Sequence, residues 1–194
     1  MAAAVSRQCG SCTLCCKLLA VHEIEKPPGR LCAHCEEGRG CRIYAARPDS
    51  CRSFNCYFLT NPKLHEEWRP SKSRIVLAVS PDGLRIGAHV DPERPGAWRR
   101  EPFYSTLKAW AKDALEHRER IGQVFVSIGQ RTIVIFPDRN VDVGIVESDE
   151  VVVTERREGP EGIAYEVFKM RRDDPRAAIA LGEIENGARN GPIF

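Results

Sequence analysis

All nine cysteines of this chain fall within its first 56 residues: Cys9, Cys12, Cys15, Cys16, Cys32, Cys35, Cys41, Cys51 and Cys56. The remainder of the 194 residues contains none. Cysteines used only as small core residues would be spread along the chain. Crowded into one end, they act together, as disulfides, as a metal site or in redox chemistry. The odd count and the adjacent pair Cys15-Cys16 fit a disulfide framework poorly. The opening MAAAVSRQCGSC lacks the apolar stretch of roughly 7–15 residues that a secretory signal needs. No apolar run approaches the roughly 18 residues of a membrane helix. A cytoplasmic chain is therefore expected, with no membrane partner. In that compartment thiols stay reduced, and a cysteine cluster binds metal or does redox work.

The cysteine-rich segment has few large apolar residues and several glycines and prolines. Such a segment buries little area and is marginal alone. A bound metal is the usual remedy, because its binding energy becomes folding energy. A cysteine-rich metal-chelating unit is expected over residues 1–60. Residues 57–70, YFLTNPKLHEEWRP, read as a connecting stretch.

From residue 71 the pattern is conventional. Apolar runs at 75–80 and 84–90 flank Ser80-Pro81-Asp82-Gly83, which suits a type I turn and predicts a hairpin. Residues 91–100 hold two prolines and a glycine and read as loop. Pro102 opens a helix on which Phe103, Leu107, Trp110, Ala111, Ala114 and Leu115 recur at intervals of three and four, and Gly122 is placed to end it. Runs at 124–128 and 132–136 flank Gly129-Gln130. A third pair, 150–155 and 163–170, flanks Gly159-Pro160. Asp174-Pro175 starts a short helix reaching about residue 181. The prediction is an α+β fold: an antiparallel sheet of hairpins over 71–181 with one main helix, a cysteine-rich metal-binding unit docked on it, and a frayed tail over 182–194.

The chemistry lies in the spacing. Cys9-x-x-Cys12-x-x-Cys15-Cys16 opens the cluster, followed by Cys32-Ala-His34-Cys35, Cys41, Cys51 and Cys56. Two cysteines of a CxxC turn can point at one ion, and Zn²⁺ takes four such ligands. If a helix starts over residues 13–21, Cys12, Cys15 and Cys16 share one face. Adjacent Cys15 and Cys16 splay by roughly 100° on a helix and can serve different metals.

This CxxCxxCC, together with Gly40-Cys41-Arg42-Ile43-Tyr44, Arg47-Pro48, Cys51-Arg52 and Phe54-Asn55-Cys56, resembles the YkgJ-type cysteine-cluster family over about residues 9–56. Its members are described as zinc- or iron-chelating proteins, sometimes as Fe–S oxidoreductases. The resemblance implies that Cys9, Cys12, Cys15, Cys16, Cys41, Cys51 and Cys56 are metal ligands, with Cys32 as the eighth. Cys35 lies outside the shared pattern and is the alternative to Cys32. The cluster also looks like that of flagellin lysine methylases, but nothing after residue 56 points to that activity.

Zinc is the expected metal, with an iron or iron–sulfur centre as the rival, because soft thiolates suit both. The bacterial ferredoxin run C-x₂-C-x₂-C-x₃-C-P is matched at Cys9, Cys12 and Cys15 but broken at Leu19-Ala20. Arginines near Cys41, Cys51 and Cys56 can offset thiolate charge. His34 is not needed as a ligand where cysteines suffice. His22, His65, His89 and His117 have no metal-ligand spacing and read as surface or loop residues. Tyr44 and Phe54 read as core of the metal unit, and Trp110 as core of the helix.

Three functions follow from this. The first is a metal-binding protein whose cluster is structural or chelating, with metal ions as partners and the α+β domain offering a face to a protein partner. The second is an Fe–S oxidoreductase or radical-type enzyme, although no catalytic constellation is visible outside the cysteines. The weakest is a zinc-ribbon-like nucleic-acid binder, since the net charge is only +2 and nothing there demands a polyanion.

Overall fold

The computed structural model describes residues 7–80, 83–116, 122–160 and 162–177. The expected tail over 182–194, and most of the helix expected after Asp174-Pro175, lie outside the described residues; one helical turn is seen at 175–177.

The cysteine-rich part is built of short pieces. They are α1 (Leu14–Leu18), a 3-10 turn (His22–Ile24), the two-residue strands β1 (Cys35–Glu36) and β2 (Gly40–Cys41), a 3-10 turn (Tyr44–Ala46), α2 (Asp49–Ser53) and α3 (Tyr57–Thr60). A 3-10 turn (Glu66–Trp68) and α4 (Pro70–Ser73) lead into the sheet strands β3 (Ile75–Val79) and β4 (Arg85–Val90). After a 3-10 turn (Ala97–Arg99) comes the main helix α5 (Phe103–Glu116), then β5 (Gln123–Ile128), β6 (Arg131–Ile135), β7 (Asn140–Ile145), β8 (Glu150–Gly159) and β9 (Gly162–Arg171).

The fold is α+β with one main helix. Five strands form one sheet in the order β3-β4-β5-β6-β7, and β8-β9 pair separately as a long hairpin. The first, second and third expected hairpins are β3-β4, β5-β6 and β8-β9. The Pro81-Asp82 centre of the first turn lies outside the described residues, although Gly83 N–H donates to Ser80 O at 2.8 Å. Two features differ from a sheet made only of hairpins. β4 and β5 are parallel, because the loop after Val90 and α5 form a crossover, and parallel neighbours require one of a dozen or more residues. β7 adds an edge strand that the polar, glycine-containing run NVDVGI did not announce.

Strand alternation gives the sheet two unlike faces. Ala88, Val90, Val124, Val126, Ile133 and Ile135 form one hydrophobic cluster with Phe103, Leu107, Ala111 and Ala114 of α5. Gly122 makes the return from α5 tight: a Cβ there would stand 2.9 Å from Ala114 Cβ and 3.1 Å from Leu84 O. On the other face, Arg85, His89, Gln123, Phe125 and Ser127 look toward the cysteines.

Residues 57–70 are not a connector. Phe58 and Trp68 are almost fully buried, and Leu64 is buried beside them. Trp68 meets Phe103 edge-on, with centroids 4.7 Å apart, and stacks on half-buried Trp110 at 5.4 Å. The apolar residues here are sparse, so no helical or strand period marked them as core. Leu14, Leu18 and Cys56 join the same cluster, so one core continues from the cysteine-rich part into the sheet and helix.

Candidate metal centre

The cysteines are placed by turns. Cys12 N–H donates to Cys9 O at 3.0 Å across Gly10, whose φ of 55° is left-handed and easily met by glycine. Cys35 N–H donates to Cys32 O at 2.9 Å, and Cys35 pairs with Cys41 across β1-β2. Cys32 N–H donates to Cys16 O at 3.0 Å and so ties the second loop to α1. The helix expected over 13–21 is only α1: Leu14 and Leu18 face the core, and the chain turns extended at Leu19. Cys12 therefore precedes the helix, and only Cys15 and Cys16 ride on it.

Cys51 sits on α2. The first turn of this helix is held by Glu23, which accepts from Ser50 N–H at 2.9 Å and Ser50 Oγ–H at 2.8 Å. Pro48 precedes that turn, and Arg47 donates to Tyr44 O at 3.0 Å while covering the Tyr44 ring. Tyr44 is thus exposed and no part of a core, whereas Phe54 packs against the core. Cys56 is buried at the start of α3. Near it, Arg7 stacks on Phe58 and donates to the carbonyls of Phe58, Asn61 and Leu64, anchoring the strand of chain that leads to Cys9.

All nine cysteines are free thiols. Eight of them, all but Cys56, line a single cleft of about 640 Å³. Cys16 shares hydrogen bonds with Cys15 and Cys35. The hydrogen bond with Cys15, then burial, pushes the Cys16 thiol far up. Burial, followed by the neighbouring Cys16, pushes Cys35 up to about 12. Burial raises Cys9, Cys51 and Cys56 as well, each with other cysteines adding to it. Crowding thus disfavours thiolates unless a cation joins them. Among the described residues, no group of three or more His, Cys, Asp or Glu side chains is arranged to hold a metal ion. Cys32 and Cys35 both line the cleft. Cys35 is the more buried, and its side chain hydrogen-bonds that of Cys16, whereas Cys32 reaches Cys16 through the backbone.

Three features of the site were not foreseen. Lys26 is buried and donates to Lys17 O of α1 at 2.8 Å. Asp91, with its side chain fully buried, pairs with Lys17 of α1 at 3.0 Å and with Arg74, hooking the cysteine helix to the sheet. His89 is buried on β4, not on the surface; burial pulls it down to about 4, and its Nδ1 lies 2.7 Å from Ser127 Oγ. Gly87 leaves room for this: a Cβ there would stand 2.7 Å from Phe125 Cζ and 3.0 Å from His89 Nε2. The alternation Arg85, Gly87, His89 along β4 is the signal that could have found it.

Among the described residues, no helix is long and apolar enough to cross a membrane. Comparison of the chain with protein-family models, curated proteins and solved structures finds no match.

Proposed function

We propose that this chain is a thiolate metal-binding protein, akin to the YkgJ-type cysteine-cluster proteins, whose cysteine-rich part holds zinc or, as the rival, an iron or iron–sulfur centre. The observation that carries the reading is the gathering of eight reduced thiols around one cleft, with Cys16 hydrogen-bonded to Cys15 and Cys35. The donor set is soft and suits these metals. A cation relieves the crowding that keeps the thiols protonated, so binding releases protons and strengthens as pH rises. Cys9, Cys12, Cys15, Cys16, Cys32, Cys41 and Cys51, which line the cleft, and Cys56, which lies outside it, are the proposed ligands, with Cys35 competing with Cys32. The role is structural or chelating, in a reducing compartment such as the cytoplasm.

One observation favours a second reading, an Fe–S oxidoreductase. The cleft that exposes the thiols is walled on its far side by the polar sheet residues Arg85, His89, Gln123 and Ser127, where a substrate would sit. Anaerobic purification with an absorption spectrum tests the second reading: it requires brown protein absorbing near ~400 nm, and colourless protein carrying zinc would leave only the first.

A further inference from the structure

Cys35 stands outside the eight proposed ligands, yet its place in the fold is specific. It lies directly opposite Cys41 as its partner in the short antiparallel pair β1-β2. The link over residues 37–39 closes through left-handed backbone at Gly38 and Gly40, with φ of 76° and 116°. Arg39 N–H donates back to Glu36 O at 2.9 Å and tightens the turn.

Antiparallel partners are of two kinds, and only one brings the side chains close. In a hydrogen-bonded pair the two residues exchange N–H···O bonds. Here Cys35 N–H donates to Cys32 O at 2.9 Å instead, and the bond between the strands joins the flanking residues, from Arg42 N–H to His34 O at 2.8 Å. Cys35 and Cys41 are thus a non-hydrogen-bonded pair. Such partners hold their Cα atoms about 4.5 Å apart, with both side chains on one face. A disulfide spans Cα separations of about 4.4–6.8 Å. The bond can therefore form by side-chain rotation while the strands keep their register. Both thiols are free and both line the cleft. Cys41 is half-buried and Cys35 buried, so an oxidant entering the cleft reaches Cys41 first.

We propose that Cys35 and Cys41 are a reactive dithiol that peroxides convert to a cross-strand disulfide, with Cys41 as the attacking thiol and Cys35 as the resolving one. The Cys41 thiolate attacks one peroxide oxygen; the O–O bond breaks, hydroxide leaves, and Cys41 becomes a sulfenic acid. The Cys35 sulfur then attacks the sulfenic sulfur. The S–O bond breaks, and the hydroxyl leaves with the Cys35 proton as water. The two thiols give up two electrons and two protons, and the peroxide is reduced to two waters. A reducing thiol reverses the bond by exchange. Cys16 also hydrogen-bonds Cys35, but it rides on α1 and its backbone tie is to Cys32, so no strand register sets its distance from Cys35. The pair needs no metal. If Cys41 also serves as a ligand, the cross-link withdraws it, and that consequence alone rests on the metal-binding reading.

Peroxide treatment of the full chain, purified anaerobically and reduced, tests the proposal. A single equivalent of hydrogen peroxide is followed by alkylation in denaturant, tryptic digestion without reductant and peptide mass spectrometry. Cleavage after Arg30, Arg39 and Arg42 puts the two partners on separate peptides. Peptide 40–42 should be joined to peptide 31–39 through Cys35, with Cys32 alkylated, and dithiothreitol should restore both thiols. Cys35→Ala should abolish the cross-link and leave Cys41 as a sulfenic acid that a dimedone probe captures, whereas Cys32→Ala should keep the cross-link. Cys35 joined to Cys16, Cys41 joined to Cys32, or both Cys35 and Cys41 still alkylated after other cysteines have been oxidised would overturn the proposal. Zinc measured in the same samples keeps the two readings apart. A cross-link in a chain that carries no metal upholds the pair while counting against the metal-binding reading, and zinc bound without the cross-link does the reverse.

Discussion

The two ends of this molecule are organised on different principles. In the sheet and α5, regular alternation and helical spacing fix which side chains meet. Ala88, Val126 and Leu107 are completely buried without any special backbone geometry. Among the described residues of the cysteine-rich part no helix exceeds five residues and no strand exceeds two. Its turns are held by single hydrogen bonds and left-handed residues, and its thiols crowd around a cleft instead of filling a core. Its apolar anchors, Leu14, Leu18 and Cys56, are buried in the same cluster as the sheet and helix residues. One region thus carries enough apolar burial to hold itself, while the other leans on its neighbour and, on the proposed reading, on a metal. That contrast can be broken or sharpened by experiment.

The largest expected effect is metal removal. A structural thiolate site contributes on the order of 10 kcal/mol. Chelation should therefore raise hydrogen exchange strongly over residues 9–56, more weakly in β3 through the shared cluster, and little in β8-β9. Uniform loss would mean that the regions fold as one unit. Unchanged protection would mean that no metal supports the first region.

Next come the two joints between the regions. Trp68→Ala should cost about 3–5 kcal/mol in urea unfolding, as for a large aromatic deleted from a core. Asp91→Asn leaves Lys17 and Arg74 without their buried partner and should cost about 3 kcal/mol. Losses below about 1 kcal/mol at both sites would show that the regions are not coupled through this core.

The pH response should come from His89 on the sheet side. Its folded pKa is depressed to about 4, so the unfolded chain binds the proton first. The stabilising contribution is full above the ordinary histidine value near ~6.5. It declines as pH falls from there and is lost by about pH 4. Over that window the loss is about 3 kcal/mol. In the zinc-free chain, His89→Gln should flatten the profile between pH 6.5 and 4, and an unchanged slope would refute the assignment. Asp91 adds a separate loss at lower pH. Burial alone would raise its carboxyl, but hydrogen bonds from Lys17, Glu93 N–H and Arg74 outweigh that and hold it below the usual range. The smallest effect is Tyr44→Ala. The ring is exposed and touches Arg47, so the change should stay near ~0.5 kcal/mol. A loss above 2 kcal/mol would mean that the cysteine-rich part has a core of its own.

The fold was legible where periodicity is strong. α5 follows from Phe103, Leu107, Ala111 and Ala114, and the three hairpins follow from apolar runs around turn residues. The crossover between β4 and β5 was not legible, because nothing local distinguishes a parallel neighbour from an antiparallel one. Residues 57–70 were misread because Phe58, Leu64 and Trp68 have no common period; their burial is set by what α5 and β3 present to them. At the candidate centre, the cysteines announced themselves by spacing, and the structure brings eight of them to one cleft. Lys26, Asp91 and His89 could not be found in that way. A single lysine, aspartate or histidine acquires meaning only from distant chain segments, here α1, Arg74 and β5.

The central claim, that the crowded thiols form a metal site, is tested most directly by metal analysis of the full chain purified anaerobically without chelator. At least one zinc or iron per chain is predicted, with Cys16→Ser losing most of it, because Cys16 touches both Cys15 and Cys35. Well under one metal per chain, or equal metal retention in Cys16→Ser, would contradict the account.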